Sequence, residues 1–420
     1  MQTNNIKILR GLIIIMVQKT PIVVVGNGLT AEVMCSALNY FGLEYTRLLS
    51  QRNDFVDTRT TTINIASQKM LSRLNLWSFS NKNSTEIRNI LVSQYKFSEN
   101  CFNRNSETSG LHFSLDGEIM AWTIENESLF KNCQKHNSKS PSLIENYYGN
   151  LNIEYTENGV VINDIRRKKW HTELIIACDG ANSAIRESAG LRSTSMAANQ
   201  EAIVARINLN RLHHNFAVQR FLPDGPLALM PIRTQEAALV WSLSKTKSAN
   251  IFNLSEGKFK RKIINALGDS FKKITLCSEK KIWDLKPSVT RSMGRPGLIL
   301  AGDSNHSIHP LAGMGFNLAL ADVAVICDCL SSAKKNGLSF SHPSILSEYR
   351  ARRRLEVEAI IALTQGLNRL FSYNSFKFKT FPSSLTNIGL GIMDSLPIKK
   401  QLAKIAAGGV LTSASLFSDV

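Results

Sequence analysis

Pro21-Ile-Val-Val-Val-Gly26-Asn-Gly28-Leu-Thr-Ala31 is the stretch on which the reading of this chain turns. Ile22 to Val25 are all β-branched, which predicts a strand buried on both faces. The glycines that follow predict a tight turn, and Ala31 to Phe41 reads as the next helix. In such a unit Gly26 permits the turn, Gly28 lets backbone N–H groups approach a pyrophosphate, and Ala31 lets helix and strand pack closely. A GxGxxA turn alone also fits a tight connection with nothing bound. The next strand, roughly Tyr45 to Leu49, leads to the place where a carboxylate usually accepts from a ribose hydroxyl. Ser50 stands there, with Gln51, Asp54 and Asp57 beyond it.

Two later stretches repeat the pattern of an apolar strand ending in Asp. One runs from Leu174 through Cys178-Asp179-Gly180-Ala181-Asn182-Ser183 to Arg186. The other runs from Gly297 through Gly302-Asp303-Ser304-Asn305-His306 and His309-Pro310 to Gly313, Gly315 and Asn317. One site assembled from three such distant segments makes the nucleotide domain discontinuous. Between them, Ala202 to Leu243 reads as strands with turn signals at Pro223-Asp-Gly225-Pro226 and Arg233-Thr-Gln-Glu236, an antiparallel sheet inserted into the nucleotide domain. Beyond them, Ile360, Leu363, Leu367, Leu370 and Phe371 share one face of a helix.

The chain has 420 residues, 43% hydrophobic and 20% charged, with a mean hydropathy of −0.09, an ordinary globular composition large enough for two or three domains. Its longest uninterrupted apolar run, Leu12 to Val17, falls far below the roughly 20 residues that span a bilayer, so no transmembrane anchor is expected. Lys7 and Arg10 before that run resemble a signal peptide, but no small-residue cleavage site follows. Residues 1–16 are therefore expected to be a start-site overhang, with Met16 the natural start. The seven cysteines are scattered without a CxxC pair, which suits reduced thiols in a cytoplasmic protein.

Taken together, the GxGxxA turn, Cys178-Asp-Gly-Ala-Asn-Ser183, and Gly302-Asp303 with His309-Pro310-x-x-Gly313-x-Gly315-x-Asn317 resemble the FAD-dependent aromatic hydroxylases of the p-hydroxybenzoate-hydroxylase fold. Within that group the chain is most similar to the ubiquinone-biosynthesis hydroxylases of the UbiH/UbiF/UbiI type. The narrower likeness rests on Asp57-Thr-Arg59-Thr-Thr-Thr-Ile63 leading to Leu74-Asn-Leu-Trp77, on Arg220-Phe-Leu-Pro-Asp-Gly-Pro-Leu-Ala-Leu-Met-Pro231, on Val240-Trp241, and on Leu367-Asn-Arg-Leu-Phe-Ser372. It covers roughly residues 20 to 410.

The resemblance implies an α/β fold: a discontinuous Rossmann-like FAD-binding domain (18–80, 120–190 and 285–345), an inserted antiparallel β-sheet substrate domain (81–119 and 191–284) and a helical C-terminal region (346–420). It implies that Gly26, Gly28 and Ala31 form the phosphate turn, with Arg59 near the FAD. Asp179 and Gly180 would lie near the cofactor and a pyridine nucleotide. Gly302 and Asp303 would meet a ribitol or ribose hydroxyl, Pro310 would shape the flavin site, and Gly313, Gly315 and Asn317 would bring backbone N–H groups to the flavin. The implied chemistry is reduction of FAD by NAD(P)H or another external donor, O2 addition to a flavin hydroperoxide, and hydroxylation of a polyprenylated phenol. No catalytic triad or carboxylate pair is expected, because the cofactor carries the oxidation.

Departures from the family pattern are Ser50, Ser304, Asn305, Met314, Ala319 and Ala321; they leave the tightness of FAD binding open, while the phosphate-contacting glycines are retained. Alternative readings are a hydroxylase of a small soluble phenol and a non-catalytic subunit of a ubiquinone-biosynthesis complex. His306 and His309 have no third ligand at metal spacing, so no metal is expected. Cys327 and Cys329 read as buried thiols. The net charge of +17 and the clusters Arg166 to Lys169, Lys258 to Lys262 and Arg352 to Arg354 lack aromatic interleaving, so no nucleic acid is expected. Residues 331–420 carry 12 Lys/Arg against 5 Asp/Glu, which with the amphipathic helix suits an anionic membrane surface, peripheral at the inner face, and equally a helix packed on the flavin domain with solvated charges. Other ubiquinone-biosynthesis proteins are implied partners.

Overall fold

The computed structural model describes residues 17–50, 57, 59–78, 83–94, 110–140, 142–157, 159–195, 199–210, 213–268, 271, 273–310, 313–371 and 414–417, the side chains of 17, 94, 110, 111 and 367–371 excepted. The expected start at Met16, Gln51 and Asp54, and the side chains of Leu367, Leu370 and Phe371 lie outside the described residues.

The first strand, Val17–Val25, sits in the middle of five parallel strands. Their order is Leu298–Leu300, Lys169–Ala177, Val17–Val25, Thr46–Ser50, Leu143–Tyr147. Its alternation builds two cores. Ile22 and Val24 face one side with Ala31, Met34 and Leu38 of the helix Leu29–Tyr40 and with Leu320 and Ala324 of the helix Gly315–Lys335. Val23 and Val25 face the other side with Ile175, Ala177, Leu298 and Trp170. Each side chain taken out of water there contributes about 1.5–3 kcal/mol. The hairpin between Gly159–Asn163 and Lys169–Ala177 turns through Asp164 to Lys168, so the basic run Arg166 to Lys169 lies on its tip and the start of its second strand.

The three motif loops follow from this order. Gly26, Cys178-Asp179 and Ala301-Gly302 leave the carboxyl ends of three neighbouring strands, and Cys178 N–H donates to Val25 O (2.8 Å) while Ala301 N–H donates to Ala177 O (3.0 Å). The chain leaves the first strand to one side for Thr46–Ser50 and returns on the other as Lys169–Ala177. That reversal opens the crevice in which open α/β sheets bind ligands.

The second large sheet contains Gln200–Asn208, Phe216–Leu222, Gly225–Arg233 and Glu236–Ser244. It is antiparallel except at one edge, where Phe216–Leu222 runs parallel to Asn89–Gln94. The exception arises because Asn89–Gln94 enters the sheet from a separate, earlier segment and is not joined to its neighbour by a hairpin. One face buries Ile203, Leu227, Leu239 and Trp241 against Phe259 and Ile263 of the helix Glu256–Leu267. The opposite face carries Ala202, Val204, Ala217, Gln219, Ala228 and Ala238. It looks toward the small sheet of Thr60–Asn64, Ala121–Glu125 and Ser84–Ile87, where Arg206 donates to Glu125 Oε1 (2.9 Å).

By length and composition the helix Gly315–Lys335 could cross a membrane, although none of its uninterrupted apolar runs is long. It is instead mostly buried in the first core, with Asp322 in its middle. The last helix, Pro343–Phe371, packs along it. Arg353 of the basic run is buried, Arg352 pairs with Asp328 (2.7 Å) and Arg354 with Glu358 (2.8 Å), so this cluster is neutralised by partners rather than presented as a cationic patch.

Candidate functional site

The turn after the first strand is held from below. Gly26 has φ +151, and a Cβ there would lie 2.4 Å from Cys178 O, so the neighbouring strand's backbone occupies the space a side chain would need. Its carbonyl accepts from Arg47 Nε (3.2 Å) and Nη2 (3.1 Å), and Arg47 forms a buried ion pair with Glu32 (2.7 Å). Gly28 is different. It is extended and immediately precedes the helix Leu29–Tyr40, and a Cβ there would meet nothing within 4 Å among the described residues. Ala31 is fully buried against Gly26. Asn27 spans the strand ends: its amide donates to Ser50 O (2.9 Å) and its Oδ1 accepts from Ser50 N–H (3.0 Å). The residue standing where a carboxylate was expected thus has both backbone groups fixed by a side chain of the turn.

Asp303 lies in the turn Gly302–Ser304 and is exposed, while its neighbours Gly302, Ser304, Asn305 and His306 are all buried. Desolvation by the surrounding protein raises its carboxyl above the ordinary value, against the opposing charges of His306 and Arg59. Ser304 and Asn305 point into the protein. Ser304 Oγ donates to Ala177 O (2.6 Å) and accepts from Ala301 N–H (3.1 Å), and Asn305 lies beside the Tyr349 hydroxyl (3.4 Å), which itself donates to Leu300 O (3.0 Å). These two departures from the family pattern therefore fill the wall behind the loop, not the cleft.

Asp322 of the helix Gly315–Lys335 holds that wall. Its Oδ2 accepts from Gly302 N–H (2.9 Å) and His306 Nε2 (2.7 Å), and its Oδ1 accepts from Arg353 Nε (2.8 Å). Burial alone would raise this carboxyl, but the His306 and Arg353 charges outweigh it and bring the pKa down to about 2. An acid inside the apolar run from Leu318 to Cys327 was the available signal.

Asp179 is half-buried. Its Oδ2 accepts from Ile185 N–H (3.1 Å), and burial raises its carboxyl. Gly180 follows it in a left-handed conformation. Arg186, also passed over in the sequence, ties this loop to the next by donating to Ala181 O and Ser304 O, both at 2.8 Å. Asn317 does the same on the far side, donating to Thr62 O (2.7 Å) and accepting from Asn64 N–H (3.0 Å). Gly313 has φ +62 and a Cβ would collide with Thr62 at 2.6 Å, while Gly315 begins the 21-residue helix. Arg59 borders the cleft with its fork on Asp57 (2.8 and 2.7 Å) and its plane over Trp283 (4.2 Å). Pro310 is half-buried beside His309, whose ring burial holds neutral at a pKa of about 4. Among the described residues no group of acids, histidines and cysteines forms a metal site. Cys327 and Cys329 are buried thiols, the latter pushed up to about 12 by burial.

An open extended glycine at a helix start, an exposed carboxylate at the adjoining crevice and a second long helix beginning at its rim together fit an extended dinucleotide. The fold and site define a dinucleotide-binding flavoprotein with a second, separate sheet. The chain belongs to the FAD binding domain family, whose model matches residues 134–364, more than half of it. It is 26% identical to ubiquinone hydroxylase UbiL of Rhodospirillum rubrum over 92% of this chain and 89% of that protein. It is 30% identical to the human mitochondrial ubiquinone biosynthesis monooxygenase COQ6 over 57% of this chain and 58% of that protein. Among solved structures, p-nitrophenol 4-monooxygenase PnpA of Pseudomonas putida shares the fold with a TM-score of 0.72 at 15% identity, covering 95% of this chain and all of that one.

Proposed function

We propose that this chain is an FAD-dependent monooxygenase that hydroxylates the ring of a polyprenylated phenol in ubiquinone biosynthesis. The observation that carries the reading is the convergence of Gly28, Asp303 and the start of the helix Gly315–Lys335 on one crevice, in a chain related throughout its length to a ubiquinone hydroxylase. In this reading Gly26, Gly28 and Ala31 shape the pyrophosphate turn, Gly302 and Asp303 receive a ribose or ribitol hydroxyl, and Gly313, Gly315 and Asn317 define the edge of the flavin site. Asp179, Gly180 and Arg59 border it, and Pro310 shapes it. FAD, once bound and reduced by an external donor, supplies the activated oxygen; the protein orients the ring and excludes water.

The substrate wall in this proposal is the sheet face bearing Ala202, Val204, Ala217 and Ala228, whose small apolar side chains suit a hydrophobic ring and tail. Gln219 on that face is buried, and its carboxamide oxygen has no hydrogen-bond partner among the described residues, which leaves an acceptor for a ring hydroxyl. A single-turnover experiment tests the reading. FAD-loaded protein reduced chemically and mixed with O2 and a short-chain prenylated phenol is expected to give product heavier by one oxygen atom. Reoxidation without product would reject it.

The substrate's hydrophobicity extends the proposal to an anionic membrane surface and to other ubiquinone-biosynthesis proteins as partners. Its support is the basic excess of residues 331–420, of which Arg352 to Arg354 are already paired and 372–413 lie outside the described residues. Salt-sensitive flotation with anionic but not neutral liposomes is the expected outcome.

A further inference from the structure

One carboxylate oxygen, Asp322 Oδ2, grips both ends of the turn that presents Asp303. It accepts from Gly302 N–H (2.9 Å) just before Asp303 and from the His306 ring (2.7 Å) three residues after it. The other oxygen is fixed by Arg353 of the last helix, whose remaining donors go to Leu318 O (3.2 Å) and Glu356. The turn has little other freedom. A Cβ on Gly302 would lie 3.0 Å from Ala319 and 3.1 Å from Thr30, so two helices press on it from the protein side. Every side chain from Ser304 to His306 is buried, and Asp303 alone is open.

We propose that His306 is a positioning residue for the cofactor: by holding Asp322 Oδ2 it keeps Gly302 in place and so aims Asp303 into the cleft. Without it, the carboxylate is free to turn both oxygens onto the Arg353 guanidinium, whose fork favours bidentate pairing, and to release Gly302. The last helix thereby becomes part of the cofactor site without touching it. The proposal rests on the reading that Asp303 binds FAD.

A double-mutant cycle on FAD affinity tests it, with apoprotein titrated by flavin fluorescence and the fold checked by circular dichroism. His306→Leu leaves Asp322 paired with Arg353, so the variant is expected to fold. The expected result is FAD binding weakened about tenfold by Asp303→Ala and about fivefold by His306→Leu, with the double variant within about twofold of Asp303→Ala alone. His306→Gln, which retains a donor, is expected to bind within about twofold of the unaltered chain. Full additivity, or unchanged affinity in a folded His306→Leu, would overturn the positioning role alone. An Asp303→Ala chain that binds FAD normally would overturn both that role and the reading beneath it. Should His306→Leu not fold, Asp322→Asn, which keeps the shape and one acceptor oxygen, carries the same cycle to the same decision.

Discussion

Asp322→Ala is expected to destabilise the folded chain by about 3–5 kcal/mol, the cost of breaking a buried ion pair by removing one of its members. Arg353 Nε and the His306 ring would lose their acceptor, leaving Arg353 with Glu356 and Leu318 O, and both side chains are about 1% exposed, so water cannot replace it. At about 2.1 cal/mol/K of unfolding entropy per residue this is a fall in Tm of about 3–6 °C, measurable by calorimetry of the apoprotein. The same carboxylate sets an acid limit. Its folded pKa of about 2 lies below the ordinary carboxylate value, so its contribution is complete above about 4 and lost as pH falls through about 2. Glu356, paired with Arg353 but raised by burial, runs the other way and protonates first. The unaltered chain should therefore lose stability between about pH 4 and 2 more steeply than Asp322→Asn. Equal acid midpoints for the two would remove the network from the account.

Gly26→Ala and Gly28→Ala are expected to fail for opposite reasons. At Gly26 the new methyl meets Cys178 O at 2.4 Å, against a backbone atom that cannot swing away, at a φ of +151. The first strand and its neighbour must part, at about 2–4 kcal/mol from overpacking and backbone strain together. The loss should be visible as lowered Tm without any flavin present. At Gly28 the backbone is ordinary and the methyl projects into open space, so apoprotein stability should not change. FAD affinity, in contrast, should fall about tenfold or more, because the methyl takes the place where a pyrophosphate approaches the helix start. A Gly28→Ala chain that binds FAD as well as the unaltered one would place the phosphates elsewhere.

The strand, glycine turn and helix at Pro21 to Phe41 were legible because β-branched run, small residues and helical period are all local features. The two later strand-to-Asp stretches were legible for the same reason, and their order identified the fold. Which way a side chain turns after such a strand was not legible. Ser304 and Asn305 read as changes at the cofactor, yet both face the wall, because only Asp303 of the turn points outward. The pairing of Asp322 with Arg353 was also hidden. It joins two helices, and Arg353 lay in a run of three arginines that reads as solvated charge. Nor could the sequence show Asn89–Gln94 beside Phe216–Leu222, since a parallel pairing across more than a hundred residues leaves no turn signature.

The absorption spectrum of protein purified without added flavin, repeated after incubation with FAD and gel filtration, tests the central claim most directly. Flavin bands corresponding to about one FAD per chain, lost in Asp303→Ala, are the predicted result. A folded protein that retains no flavin even after saturating FAD would contradict it and leave a non-catalytic subunit as the better description.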